Sequence, residues 1–213
     1  MMPPETRPRR HDFVRLIPNV ERLLASDVSA QVIHWCRIHP FVVTRPPAQS
    51  SAGTLSLGLA LPGKRRIAFE VPMKAVAELS APPHLADTID SAPARWRARL
   101  RQIVRSAGRF DTEVRVYGSL AWQHLTHLDY LHAASDVDLL LRTNQWENAC
   151  RLAGELGCMD GSPRLDGELS LPDGGGVAWR EISEGATRVL VKGGASVALT
   201  TRDEIRALVE SVR

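Results

Sequence analysis

VRVYGSLAWQHL at residues 114–125 and SDVDLLL at 135–141 are the two segments on which the architecture turns. In the first, Val114 and Val116 alternate with Arg115 and Tyr117, the period-two pattern of a half-buried strand. Gly118-Ser119 interrupts that strand, and a short amphipathic helix is expected from Leu120 to about Leu125. A glycine at a strand-to-helix turn lets the backbone come close to a ligand. The helix start offers unpaired N–H groups and the positive end of a dipole to a phosphate, and Ser119 adds a hydroxyl donor. In the second segment Val137, Leu139 and Leu141 make an apolar face, so Asp136 and Asp138 share the opposite one. Two adjacent carboxylates repel, and each raises the other's pKa unless a cation lies between them. On a strand otherwise apolar this points to Mg²⁺, which takes oxygen ligands and shares its shell with phosphates, with Mn²⁺ as the alternative.

Working outward, Trp96, Leu100, Ile103, Val104 and Ala107 form one stripe of a helix capped by Ser91, with Pro93 in its first turn and Gly108 at its end. Asn144 is expected to cap a second helix with Trp146, Ala149, Leu152, Ala153 and Leu156 inward. Strands at 165–171 and 177–182 flank the turn Asp173-Gly-Gly-Gly, another follows at 189–192, and Thr201 with Glu204 reads as a capping box. Before residue 80 the pattern gives a helix from Ser26 or Asp27 to before Pro40 and strands at 41–43, 54–59 and 67–71. Pro62-Gly63-Lys64 is a hairpin turn there, and a helix is expected at 73–79. Ser80-Ala-Pro-Pro-His and Ser91-Ala-Pro bracket a proline-rich linker. The fold class is therefore α+β. A small N-terminal α+β domain (1–82) precedes a C-terminal domain (83–213) with a mixed sheet and flanking helices.

Composition narrows the function classes. Hydrophobic content of 44% with 24% charged residues suits a globular chain rather than a disordered one. No apolar run is long enough to cross a bilayer, and the basic start MMPPETRPRR lacks the hydrophobic stretch of a secretory signal, so the expectation is cytoplasmic with no membrane partner. Cys36, Cys150 and Cys158 are odd in number without a C-x-x-C, and are expected as buried thiols rather than a disulfide or zinc framework. Net charge is +3, but the basic residues are nearly all arginine and neither lysine clusters nor interleaved aromatics accompany them, which argues against a nucleic-acid partner.

A strand, Gly118-Ser119, a helix and then Asp136-x-Asp138 on a strand resemble the nucleotidyltransferase superfamily that includes DNA polymerase β and the antibiotic adenylyltransferases. That resemblance implies a third carboxylate on a later strand, for which Asp166 or Glu168 could serve, with Asp166 favoured. The segments around Gly118–Gln123, Leu125-Thr126, Tyr130-Leu131, Ser135–Leu141, Asp166–Glu168 and Val177–Glu181, with the start Pro8-Arg-Arg-His-Asp12, resemble one family within it: malonate decarboxylase holo-acyl-carrier-protein synthase, also called phosphoribosyl-dephospho-CoA transferase. The resemblance implies transfer of phosphoribosyl-dephospho-CoA from 2′-(5″-triphosphoribosyl)-3′-dephospho-CoA to a serine of the acyl-carrier subunit of malonate decarboxylase, with diphosphate leaving. On it, Asp136, Asp138 and Asp166 would hold Mg²⁺, Asp166 or Glu168 would take the serine proton, and Gly118 and Ser119 would hold phosphates. Lys192 would neutralise phosphate charge or stand in solvent at a strand end. Arg9 and His11 would reach the CoA phosphates or belong to an N-terminal arm; on the same resemblance the 1–82 domain would bind donor or carrier and 83–213 would be the nucleotidyltransferase-like catalytic domain. The alternatives are a nucleotidyltransferase acting on another small molecule or protein, and a non-catalytic nucleotide- or carrier-binding module. Arginines on the 91–108 helix are a lesser candidate for receiving an acidic carrier. His124, His127 and His132 are expected at the surface, and Trp122, Trp146 and Trp179 in the core.

Overall fold

Phe13, Val14 and Leu16 are buried while Arg15 is exposed, so the first strand, β1 (Phe13–Leu16), is covered on the face of Val14 and Leu16 and on the other face at Phe13. The computed structural model describes residues 8–24, 30–44, 53–63, 65–193 and 196–211, so Ser26, Asp27, Val28, Arg45 and Lys64 lie outside the described residues. The chain forms two compact units, Met1–Pro82 and Pro83–Arg213. In the first, β1 joins β2 (Phe41–Val43), β3 (Thr54–Ala60), β4 (Arg66–Pro72) and β5 (Val76–Ser80) in an antiparallel sheet of order β4-β3-β2-β1-β5. Its helix α1 (Ala30–Trp35) buries Val32 and Trp35, and the Trp35 indole N–H donates to the Pro40 carbonyl at 2.9 Å. Phe41 and Phe69 meet edge to face, ring centres 5.0 Å apart.

The helix expected at 73–79 is instead a single 3₁₀ turn (Met73–Ala75) followed by β5. Ala75 is fully buried and its carbonyl accepts from Ile17 N at 2.9 Å, after which Val76, Glu78, Leu79 and Ser80 pair with β1. A neighbouring strand in need of partners overrides a short helical preference.

The second unit contains α2 (Leu85–Thr88), α3 (Ala94–Arg109), β6 (Glu113–Tyr117), α4 (Gly118–Thr126), β7 (Val137–Arg142), α5 (Trp146–Gly157), β8 (Leu165–Ser170), β9 (Gly176–Ala178), α6 (Trp179–Ser183), β10 (Arg188–Lys192), β11 (Val197–Thr201) and α7 (Arg202–Glu210). The sheet order is β11-β10-β9-β8-β7-β6, and only β7 and β8 run parallel, so the sheet is mixed as expected. Trp96, Leu100, Ile103 and Ala107 form the buried stripe of α3, and Trp146, Ala149, Leu152, Ala153 and Leu156 that of α5. Each large apolar side chain so buried contributes roughly 1.5–3 kcal/mol. Trp122, Trp146 and Trp179 are all core residues.

Other local expectations are corrected. The linker is short, because Leu85, Thr88 and Ile89 are buried within α2 and the 3₁₀ turn after it. Ser91 does not cap α3: its hydroxyl meets His124 Nδ1 at 3.0 Å, and Pro93 stands at the cap. Asn144 gives way to Gln145 ahead of α5. The strand expected at 177–182 ends at Ala178, because Trp179 and Ile182, three apart, bury one face of the helical turn α6. β11 was not anticipated; it is an edge strand with exposed Val197 and Leu199 and so lacks buried alternation. Cys36 and Cys150 are half-buried and Cys158 is exposed, not buried thiols. Among the described residues no helix is long and apolar enough to cross a membrane.

The capping box of α7 is present: Thr201 Oγ1 accepts from Glu204 N at 3.3 Å, and Glu204 Oε2 accepts from Thr201 N at 2.9 Å. Thr201→Ala should lower stability by about 1 kcal/mol in chemical denaturation. An unchanged midpoint would show that packing of Ile205 and Val209 alone holds the helix.

Candidate active site

Residues directly opposed in a sheet point to the same side, so the pairing of β7 with β8 decides which side chains meet. Asp138 pairs with Asp166, and Leu140 with Glu168. Asp136 lies just ahead of β7 and Arg164 just ahead of β8, one step further along the same column. Val137 N donates to Arg164 O at 2.9 Å and keeps the two chains in step there. Strands lie roughly 4.8 Å apart, so two carboxylates, Asp138 and Asp166, stand side by side, and an acid–arginine pair follows them.

Close backbone approach makes this register possible. Gly167 has φ +136°, and a Cβ there would fall 1.9 Å from the Leu139 carbonyl oxygen. On the other side of β7, Tyr117 pairs with Asp138 and the chain turns at Gly118 (φ +66°) into α4. A Cβ on Gly118 would lie 2.0 Å from Asp138 Oδ2, so the carboxylate rests in the space that glycine leaves at the first turn of the helix. Ser119 follows in that turn, half-buried. Gln123 in α4 organises the spacer before Asp136: its Oε1 accepts from Tyr130 N and Leu131 N at 3.1 and 3.0 Å, and its Nε2 donates to Ser91 O at 2.6 Å.

Asp136 is forked by Arg164, with Nε donating to Oδ1 at 3.0 Å and Nη2 to Oδ2 at 2.5 Å. This hydrogen-bonded guanidinium holds the carboxyl below the usual carboxylate range against an opposing push from burial, with Arg180 and His132 adding positive charge nearby. The neighbouring cation at Asp136 is thus a guanidinium. Arg180 is fixed by donation to the Leu165 carbonyl and by stacking on Trp179, 4.7 Å from the ring centre. Asp166 Oδ1 accepts from Gly167 N at 2.8 Å. Glu168 is 4% exposed, and its Oε1 lies 3.2 Å from Lys192 Nζ, so these two candidates pair with each other deeper on the same face.

Arg9 and His11 belong to the first unit. Arg9 N donates to Asp12 Oδ2 at 2.8 Å, Asp12 N to Arg9 O at 3.1 Å, and His11 N to Val43 O at 3.0 Å, so both sit in a hydrogen-bonded turn before β1 rather than in a loose arm. Of the α3 arginines, Arg97 is tied to Asp90 and Ala92 and Arg99 to Met159. His124 is half-buried and its pKa is lowered, chiefly by burial, which departs from a fully exposed surface histidine.

Arg164 and Arg180 were not singled out in the sequence. Arg164 stands two residues before Asp166, the spacing that relates Asp136 to Asp138, so period-two counting on the third-carboxylate strand would have found it. Among the described residues no three acidic, histidine or cysteine side chains group as a ready metal cage. The donor set nevertheless fits Mg²⁺, which is held by one or two carboxylates and completed by water and phosphate oxygens. Asp138 and Asp166 are such a pair.

Gly118→Ala should cost about 1–2 kcal/mol through its backbone conformation, with a further loss from collision with Asp138. In a double-mutant cycle with Asp138→Ala, the collision should disappear and leave a coupling of about 1 kcal/mol or more. Strict additivity would show that Asp138 does not rest against Gly118.

The comparisons agree across both units. The family described as phosphoribosyl-dephospho-CoA transferase MdcG, C-terminal domain, matches residues 84–203, and the corresponding N-terminal domain matches residues 9–82. A phosphoribosyl-dephospho-CoA transferase of Bradyrhizobium diazoefficiens is 35% identical over 207 residues, covering 92% of each chain. One of Xanthomonas axonopodis pv. citri is 37% identical over 168 residues, covering 76% of this chain and 79% of the relative. One of Pseudomonas aeruginosa is 35% identical over 163 residues, covering 72% and 74%. No solved structure matches. The chain is a transferase and belongs to the phosphoribosyl-dephospho-CoA transferase family.

Proposed function

We propose that the protein takes phosphoribosyl-dephospho-CoA from 2′-(5″-triphosphoribosyl)-3′-dephospho-CoA and attaches it to a serine of the acyl-carrier subunit of malonate decarboxylase. The single observation that carries this chemistry is the in-register pair Asp138–Asp166 beside the Gly118 turn at the head of α4. The name shared by relatives that span the chain supports the donor group. A CoA-derived donor and free cysteines suit a cytoplasmic setting.

The serine Oγ forms a bond to the phosphorus next to the ribose. The bond from that phosphorus to the bridging oxygen breaks, and diphosphate leaves with its electrons. Asp166 takes the serine proton; Glu168, paired with Lys192, is the less accessible base. Asp138 and Asp166, with Asp136, would hold Mg²⁺ or Mn²⁺, which would supply neutralisation of charge on the phosphates and so ease departure of diphosphate. The N–H groups opening α4 and the Ser119 hydroxyl orient phosphate oxygens. Lys192 keeps Glu168 compensated at the edge of the site. Arg9 and His11 are proposed contacts for the CoA phosphates, which gives the first unit a part in binding donor or carrier.

The test is intact-mass spectrometry of the apo carrier subunit incubated with donor, enzyme and Mg²⁺. A gain of one phosphoribosyl-dephospho-CoA on serine, abolished by EDTA, is expected. Asp138→Ala and Asp166→Ala should remain folded by circular dichroism and lose at least about a hundredfold in rate, the scale of one preorganised electrostatic contact. Near-normal rates in both variants, or transfer undiminished by EDTA, would overturn the metal-dependent reading.

A further inference from the structure

We infer that Arg164 is a phosphate-binding residue of the donor site, held on Asp136 until the donor arrives and then exchanged onto an oxygen of its triphosphate. This rests on the proposed function, since it requires a triphosphate at the Asp138–Asp166 pair.

Three observations lead there. Arg164 is in the column that carries the acids: it flanks Asp136 at the step next to the Asp138–Asp166 pair, on the same side of the sheet. Its grip on Asp136 uses Nε and Nη2 together, at 3.0 and 2.5 Å. A guanidinium fork donates to carboxylate and to phosphate oxygens with the same geometry, so exchange needs no change in the donor group. Third, the Arg164 side chain is 69% exposed while the Asp136 side chain is 32% exposed. The arginine therefore stands on the solvent side of the acid, where an incoming anion meets it first.

Charge explains why the fork is temporary. Asp136, Asp138 and Asp166 put three carboxylates around one guanidinium, and Arg164 is stabilised by all three. Arg164 donates to both oxygens of Asp136, so a divalent cation that binds Asp136 competes with the fork for the same two oxygens and weakens it. Arg164 then has donors to place, and the anion that shares the cation's shell supplies acceptors within reach. An exposed ion pair is weak enough to be exchanged in this way. Arg180 differs: its guanidinium is committed to the Leu165 carbonyl and the Trp179 ring, so it remains a fixed positive neighbour.

This reading carries opposite signs for two ligands. Arg164→Gln removes the competitor for Asp136, so Mn²⁺ alone, titrated by electron paramagnetic resonance, should bind about two- to fivefold tighter than to the wild type. Inorganic tripolyphosphate with Mg²⁺, measured by calorimetry, should bind about tenfold or more weaker, the scale of a lost charged hydrogen bond. Arg164→Lys keeps the charge without the fork and should recover only part of the tripolyphosphate affinity. Unchanged tripolyphosphate affinity in Arg164→Gln, or weaker Mn²⁺ binding, would make the fork a fixed structural pair and overturn the inference. Failure of the wild type to bind Mn²⁺ even with tripolyphosphate present would instead defeat the proposed function, and the inference with it.

Discussion

The parallel pairing of β7 with β8 governs the rest of the site. It is the only parallel pair of the described sheet, and it lies between two antiparallel partners, β6 and β9. A slip of one residue would turn every side chain to the other face and separate Asp138 from Asp166. The apolar residues resist such a slip. Leu139, Leu141, Leu165 and Leu169 are buried, and Leu140 is buried on the acid side as well. Gly167 lets β8 come against the Leu139 carbonyl at a distance no side chain would allow. Register, burial and one glycine thus agree, and the acids are placed by the core rather than by their own interactions, which in isolation would drive them apart.

What the sequence made legible follows from the range of each interaction. Alternation within β7 is local, so Asp136 and Asp138 were placed on one side from the letters alone. The Gly118-Ser119 turn, the stripes of α3 and α5 and the capping box of α7 are local too. The pairing of β7 with β8 is not: nothing inside either strand states the register, and both Asp166 and Glu168 satisfied the same alternation. Only the fold sets Asp166 beside Asp138 and sends Glu168 to Lys192. Period-two counting puts Arg164 on the face of Asp166, but its pairing with Asp136, 28 residues away in the chain, depends on the register. The errors at 73–79 and 177–182 run the other way. Short segments with apolar residues at ambiguous spacing took their form from what they pack against, a strand beside β1 and a helical turn over Trp179.

The family matches and the geometry of the site bear on function at different levels. The matches extend over both units, so they establish the transferase family without specifying which atoms act. The geometry specifies atoms without naming a donor. Their common ground is the Gly118 turn: the helix start that would receive phosphate oxygens also gives Asp138 its resting place, so the phosphate position and the acid position are set by one residue.

Electrostatics then constrain how the proposed donor can enter. The chain carries a net charge of +3, yet the column along β7 and β8 holds three carboxylates and one exposed guanidinium. Two like charges about 4 Å apart repel by about 4 kcal/mol near a protein surface, so a triphosphate brought alone to the Asp138–Asp166 pair would be turned away. A divalent cation without the triphosphate would meet only a partial set of oxygen ligands and a guanidinium already seated on Asp136. Each ion is poorly received alone and well received with the other. The proposed site therefore suits a donor that arrives carrying its cation, and Arg164 is the residue whose charge must be redirected when it does. An arginine serves that role better than a lysine, because its planar fork keeps two bonds through the exchange of one anion for another.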